Sequence, residues 1–224
     1  MDAKRIAAER AADYIQDGMV VGLGTGSTAY WAIQRIGQRV QEGLRIRAIA
    51  TSNASEKQAK ELGIPLISFA DVQEIDLTID GADEVDPNFQ LIKGGGGALL
   101  REKIVASSSS KFIVIVDDSK LVGRLGRFPL PIEIVRFGYE ATIHKLRELG
   151  CEPVLREVEG KAYITDNGNY IVDAYFGAIA DPKELESKLN MIPGVVENGL
   201  FVDMADRVIA GKRDGGILEL ERQR

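Results

Sequence analysis

Five short, largely apolar runs, at residues 19–21, 46–50, 66–69, 77–79 and 112–116, set the fold class of the first half of this chain. Only Arg47, Ser68 and Thr78 interrupt them, so they read as strands buried on both faces. Segments with helical spacing lie between them. Ile6, Ala7, Ala11, Tyr14 and Ile15 form one stripe that stops at Gly18, and Ile33, Ile36 and Val40 form another. Asn53 with Glu56 has the form of a capping box for a third helix, ending near Gly63. Strands alternating with helices in this way predict a parallel sheet covered on both sides.

The rhythm changes at Phe128-Pro129-Leu130-Pro131. Two alternating prolines resist helix and interrupt a strand ladder, which suggests a domain crossing. Beyond it the pattern predicts a strand at 132–135, a helix at 139–149 stopped by Gly150, and a strand at 153–156. A further strand at 170–176 follows the Asn167-Gly168 turn, Asp181-Pro182 starts a second helix, and 195–202 is a last strand. The order β-α-β-β-α-β is the split βαβ, or ferredoxin-like, arrangement. Residues 207–210 and 217–220 return to the first domain. The expectation is an α/β chain with a Rossmann-like parallel-sheet domain over 1–127 and 204–224. A smaller inserted ferredoxin-like α+β domain, the expected oligomer contact, covers 128–203.

Charge and composition exclude several classes of function. With 34 acidic and 28 basic residues the formal net charge is −6, which argues against a general nucleic-acid surface. One cysteine, Cys151, and one histidine, His144, leave no internal disulfide, no multi-cysteine metal site and no His-rich metal site. No stretch approaches the roughly 20 apolar residues that span a bilayer. The N-terminus is charged throughout and lacks the apolar core of a signal peptide. A cytoplasmic protein with no membrane partner is expected.

Most of the chemistry lies in residues 80–103, DGADEVDPNFQLIKGGGGALLREK. Asp80 and Asp83 bracket Gly81 and Ala82 directly after an apolar strand, where open parallel sheets bind ligands. Two carboxylates three residues apart can contact neighbouring hydroxyls of a polyol or hold protons at different pH; the alternative is an acidic surface turn. Lys93 precedes Gly94, Gly95, Gly96 and Gly97. Four glycines in a row carry a large entropy cost, so a close backbone approach is expected there, and the cation suits a phosphate or a developing oxyanion. Glu102 sits on a helical face otherwise made of Ala98, Leu99, Val105 and Ala106, while Arg101 and Lys103 point elsewhere. A buried carboxylate is a candidate base, with a salt-bridged structural glutamate as the alternative.

A second loop, Gly22-Leu23-Gly24-Thr25-Gly26-Ser27-Thr28, joins a strand to a helix. Its glycines and helix N-terminus suit an anion, and Thr25, Ser27 and Thr28 add hydroxyls. The spacing is neither the dinucleotide fingerprint nor a Walker loop, and a phosphate monoester site is the reading; a tight packing turn is the alternative. Lys120, in Asp117-Asp118-Ser119-Lys120, ends another strand and could reach the same crevice, with Lys4 a weaker anion-binding candidate. His144 reads as a surface residue and Cys151 as inert packing.

Taken in order, GLGTGST, TIDGADEVD, KGGGGALLREK and DDSK closely resemble type A ribose-5-phosphate isomerase, as do FPLPIEIV, TDNGNYIVD and IPGVVENGLF. The resemblance covers nearly the whole chain. It implies reversible aldose–ketose isomerisation of ribose 5-phosphate and ribulose 5-phosphate, no metal or organic cofactor, and a homodimer or dimer of dimers. Glu102 matches the family's proton acceptor. Gly24 to Thr28, Asp80 to Asp83 and Lys93 to Gly96 match its substrate-binding segments, and Lys120 its later binding lysine. The family often has Asp where this chain has Asn53. Two rivals use the same residues differently: a coenzyme A transferase-like enzyme with Glu102 as nucleophile, and a sugar-phosphate sensor that does not need Glu102.

Overall fold

A computed structural model describes residues 2–223 of the chain. In chain order the first elements are α1 (Ala3–Ala12), β1 (Val20–Leu23), α2 (Ser27–Gln41), β2 (Arg47–Ala50), α3 (Asn53–Glu61) and β3 (Leu77–Gly81). They continue with β4 (Glu84–Val85), β5 (Leu91–Ile92), α4 (Leu99–Ser107), β6 (Phe112–Asp117) and β7 (Leu130–Ile134). Next come α5 (Tyr139–Glu148), β8 (Glu152–Leu155), β9 (Glu157–Val158), β10 (Lys161–Ala162) and β11 (Tyr170–Tyr175). The last are α6 (Pro182–Asn190), β12 (Val195–Asn198), β13 (Leu200–Phe201), β14 (Arg207–Gly211) and β15 (Ile217–Glu221). Among the described residues no helix is long and apolar enough to cross a membrane.

One unit comprises residues 2–82, Arg101–Leu121 and 204–223. Its six-stranded sheet has the order β15-β14-β6-β3-β1-β2. The pairs from β2 through β14 are parallel, and β15 joins β14 antiparallel through a hairpin. The apolar runs explain this arrangement: β1 is buried at every position and β6 at all but its last residue. Side chains such as Leu23, Ile33, Ile36, Ile79 and Ile115 fill the core, each contributing about 1.5–3 kcal/mol by burial. Ala7, Ala8, Ala11 and Ala12 make the inner face of α1 small and fully buried.

Local chemistry changes two of the expected elements. The run at 66–69 does not form a strand and leaves only an isolated bridge from Ala48 to Leu66. Asp71 Oδ2 accepts hydrogen bonds from the amide and hydroxyl of Ser68, which turns the chain there. The cap of α3 is Ser52 rather than Asn53, because Ser52 Oγ accepts the amide of Ser55.

The path through the sheet fixes where a ligand can bind. From β1 the chain crosses to β2 on one side, and from β2 it returns to β3 on the other side of β1. The carboxyl ends of β1 and β3 therefore flank a topological switch point, the crevice that open α/β sheets offer to ligands.

The other unit comprises Asp83–Leu100 and Val122–Asp203. Its antiparallel sheet has the order β12-β7-β11-β8, so the four strands in chain order lie 4-1-3-2, the ferredoxin-like arrangement with α5 and α6 as its helices. Ile132, Ile134, Leu146, Val172 and Leu189 form its core. Asp181 caps α6 by accepting the amide of Glu184 at 2.9 Å, with Pro182 at the first helical position.

This unit takes in more chain than 128–203. Glu84, 1% exposed, accepts the amides of Gly126 at 2.7 Å and Phe128 at 2.8 Å, and Val122 donates to Val85 O at 2.9 Å. These bonds tie residues 83–100 and 122–127 to the second unit. The expected strand at 195–202 is two strands in two sheets, β12 beside β7 and β13 beside β5. Gly199 makes the break. Its amide donates to Pro131 O and its carbonyl accepts from the amide of Lys93, and a Cβ there would lie 2.2 Å from Lys93 O.

Candidate active site

Gly24, Thr25, Gly26, Ser27 and Thr28 carry the chain from β1 into α2. Gly24 rests directly on Asp80, near the end of β3. A Cβ at position 24 would lie 2.2 Å from Asp80 Oδ1 and 2.6 Å from Asp80 Cα, so no side chain fits. The amide of Thr25 donates to Asp80 Oδ1 at 3.0 Å, and the amide of Gly81 donates to the same oxygen at 2.7 Å. Asp80 is 1% exposed. One buried carboxylate thus fixes the glycine loop across the β1–β3 crevice.

The three hydroxyls of this loop have different surroundings. Thr25 Oγ1 lies 2.7 Å from Thr51 Oγ1, 2.8 Å from Ser52 Oγ and 3.1 Å from Ser55 Oγ. Ser55 Oγ donates to Gly24 O at 2.6 Å, and Thr51 Oγ1 to Leu23 O at 3.0 Å. This cluster braces the loop from the β2–α3 side. Ser27 is exposed and accepts a hydrogen bond from Lys4 Nζ at 3.0 Å, which brings a cation from α1 to the start of α2. Thr28 is half-buried beside Gly81, where a Cβ would lie 3.9 Å from Thr28 Cβ. Lys120 is half-buried at the end of a short 3₁₀ turn, Asp118–Lys120, that follows β6.

Glu102 lies in the first turn of α4 and is 4% exposed. Ala98, Leu99, Val105 and Ala106 are all buried, as the helical spacing predicts. Lys103 is buried as well, so the charged neighbours of Glu102 are not both turned to solvent. Arg101 Nη1 donates to Asn53 Oδ1 at 3.0 Å. The Glu102 carboxylate is thus withdrawn from water on a largely apolar helical face.

In the second unit Asp83, half-buried next to Gly81 and Ala82 in the chain, accepts the amide of Gly95 on Oδ2 at 2.8 Å. A Cβ on Gly95 would lie 2.5 Å from Asp83 Oδ1, so glycine is required there by contact. The amide of Gly97 donates to Gly94 O at 2.9 Å, which makes residues 94–97 a tight turn. Gly96 is exposed within it. Lys93, 2% exposed, has its Nζ 5.3 Å from the centroid of the Phe201 ring, a cation–π contact.

Several residues of the site carried no sequence signal as single positions. Arg156 Nη1 donates to the carbonyls of Gly94 and Gly95. In the sequence it is one charge among Glu152, Glu157 and Glu159 and looks like part of a solvated edge. The hydroxyls of Thr51, Ser52 and Ser55 could have been suspected, because a hydroxyl-rich segment follows β2 as another follows β1. His144 is exposed and lies 3.4 Å from Glu148 on its own helix, and Cys151 is buried. Among the described residues no group of three or more His, Cys, Asp or Glu side chains is placed to hold a metal ion.

Residues 47–215 match the family model for ribose 5-phosphate isomerase A (phosphoriboisomerase A). The chain is 62% identical over 216 residues to ribose-5-phosphate isomerase A of Bacillus thuringiensis subsp. konkukian, covering 96% of this chain and 98% of that protein. Against the protein of the same name from Bacillus anthracis it is 61% identical with the same coverage. Among solved structures, ribose 5-phosphate isomerase from Plasmodium falciparum superposes with a TM-score of 0.95 at 44% identity, over 99% of this chain and 98% of that one. A D-ribose-5-phosphate isomerase in complex with phospho-erythronic acid superposes with a TM-score of 0.94 at 44% identity, over 99% of this chain and 100% of that one. The chain belongs to the ribose 5-phosphate isomerase A family.

Proposed function

We propose that this protein interconverts ribose 5-phosphate and ribulose 5-phosphate, an aldose–ketose isomerisation of the non-oxidative pentose phosphate pathway. The observation that carries the reading is Glu102, a carboxylate 4% exposed in the first turn of the helix that leaves the 94–97 glycine turn. In the open-chain aldose the C1 carbonyl acidifies the proton on C2. Glu102 removes that proton, the electron pair forms the C1–C2 double bond, and O1 takes up the negative charge. The intermediate is a cis-enediolate. Glu102 then returns the proton to C1 while the O2 hydroxyl gives up its proton and C2 becomes the carbonyl.

Lys93 stabilises the oxyanion, and Asp83 exchanges protons between O1 and O2. Asp80 orients substrate hydroxyls while its Oδ1 holds the glycine loop. Ser27, Thr28 and the amides at the start of α2 take the phosphate, with Lys4 and Lys120 as its cations. The complex of a solved relative with phospho-erythronic acid supports this chemistry, because a planar carboxylate next to a hydroxylated carbon resembles an enediolate in shape and charge. A positioned base supplies about 10²–10⁴-fold, so electrostatic stabilisation by Lys93 and the loop amides supplies much of the remainder.

A homodimer or dimer of dimers in the cytoplasm completes the proposal. Phe137 is 94% exposed and Met191 81% exposed, and large apolar side chains so placed suit an interface between copies. Light scattering at micromolar concentration reads the assembly directly. The activity is tested by following ribulose 5-phosphate formation from ribose 5-phosphate in EDTA, with Glu102→Gln alongside. Turnover in the wild type and its loss in a folded, ligand-binding Glu102→Gln is the expected result. Near-normal turnover in that variant overturns the base assignment.

A further inference from the structure

We infer that Arg156 is a positioning residue for the isomerisation, acting by locking the peptide planes of the glycine turn at residues 94–97; this rests on the function proposed above. Its Nη1 donates to Gly94 O at 3.0 Å and to Gly95 O at 3.2 Å. The guanidinium is held in turn by Asp173, through Nε to Oδ2 at 2.9 Å and through Nη2 to Oδ1, a two-pronged pair largely shielded from water. It lies over the Tyr163 ring, 5.9 Å from the centroid, and Tyr163 packs against Gly97, where a Cβ would be 2.3 Å from the phenol oxygen.

The consequence for chemistry lies in two peptide groups. The peptide from Gly94 to Gly95 is gripped at both ends, its carbonyl by Arg156 and its N–H by Asp83 Oδ2 at 2.8 Å. The direction of the Asp83 carboxylate is therefore tied to Arg156 through one rigid plane. The peptide from Gly95 to Gly96 has its carbonyl on Arg156 as well. A trans peptide sets N–H opposite to C=O, so the exposed Gly96 donates away from the guanidinium. Four flexible glycines would otherwise sample many arrangements of these groups, and misplacement by about 1 Å can cost about 10²-fold in rate.

Lysine cannot reproduce this, since a point charge lacks the planar fork needed to serve Asp173 and two carbonyls together. The test compares wild type, Arg156→Ala and Arg156→Lys in ribose 5-phosphate isomerisation, with melting temperature recorded for each. Arg156→Ala should lower kcat about 30- to 100-fold with KM within about twofold. Guanidinium chloride at low, non-denaturing concentration should restore part of that kcat, and sodium chloride at the same concentration should not. Combining Arg156→Ala with Asp83→Asn should give a loss smaller than the product of the two single losses, because both act on one peptide.

Wild-type kcat in either variant overturns the inference. So does failure of guanidinium to restore turnover in folded Arg156→Ala, or a fully multiplicative double mutant. If Arg156→Ala does not fold, Arg156→Lys decides: a large kcat loss in a folded protein supports the role and an unchanged kcat refutes it. Wild-type protein that fails to isomerise the sugar phosphate instead refutes the function proposed for the site.

Discussion

Thr25 and Asp80 are joined by a 3.0 Å hydrogen bond from the Thr25 amide to the Asp80 carboxylate, so a side chain at the end of β3 sets the shape of the loop at the end of β1. The same oxygen holds the Gly81 amide, and Gly24 is pressed against Asp80 too closely for any side chain. On the proposed function a structural and a chemical duty meet on this one carboxylate, and two substitutions separate them.

Asp80→Asn keeps an acceptor oxygen for both amides. It should melt within a few degrees of wild type while losing most of its turnover, because the amide puts an NH₂ donor where the carboxylate would accept from the sugar hydroxyls. Asp80→Ala removes the acceptor from two backbone donors, each about 1–3 kcal/mol when left buried and unmet. That variant should be both inactive and clearly destabilised in urea. Equal stability of the two variants would mean that Asp80 does not hold the loop.

The hydroxyls of the loop give a second contrast. Thr25→Val deprives Thr51, Ser52 and Ser55 of a shared partner and should lower stability by about 1–3 kcal/mol. Thr28→Val should leave the melting temperature nearly unchanged. It should reduce kcat/KM for ribose 5-phosphate far more than for free ribose, since remote phosphate binding helps position C1 and C2. A Thr28→Val effect of the same factor on both sugars would show that Thr28 holds protein structure and not phosphate.

Much of this arrangement was legible because it is local. Largely apolar runs pointed to β1, β3 and β6, and helical spacing alone put Glu102 on a buried face. What stayed hidden depends on partners distant in sequence. Gly199 breaks the expected strand at 195–202 because it meets Lys93 and Pro131, 106 and 68 positions back in the chain by residue number. Arg156 likewise meets Gly94 across 62 positions. Ser52 displaced Asn53 as the cap of α3 by a single residue, a distinction that cap preferences do not make, since both types are favoured there.

Cys151 allows a prediction from its environment. Burial pushes its thiol up to about 11, and its Sγ donates to Leu146 O at 3.2 Å. Because the shift is upward, the reactive thiolate is scarce at pH 8, about one molecule in a thousand against roughly a quarter for an unperturbed cysteine. Iodoacetamide should therefore label the native protein at pH 8 at least about 100-fold more slowly than the urea-unfolded chain, as read by mass spectrometry. Equal rates would show that the thiol is neither buried nor shifted.

Glu133 explains why the TDNGN segment has the composition it does. It sits on β7 with no solvent exposure, and its Oε1 accepts from Thr165 Oγ1 at 2.9 Å, Asn167 Nδ2 at 3.1 Å and Asn169 Nδ2 at 2.9 Å. One carboxylate oxygen thus collects three side chains of a turn that begins two residues after Tyr163, the ring packed on Gly97. Glu133→Ala leaves three neutral donors without this acceptor and should cost at least about 1–3 kcal/mol, the range for one buried donor left unmet. Glu133→Gln keeps one acceptor oxygen but buries an added NH₂ group, so its loss should be real and smaller. Urea unfolding should order the midpoints as wild type, then Gln, then Ala. Isomerase activity at a temperature where all three remain folded should fall in the same order, because loosening the turn frees Tyr163 from the glycine loop. A Glu133→Ala midpoint equal to that of wild type would mean that the three side chains find other partners and that Glu133 does not organise the turn.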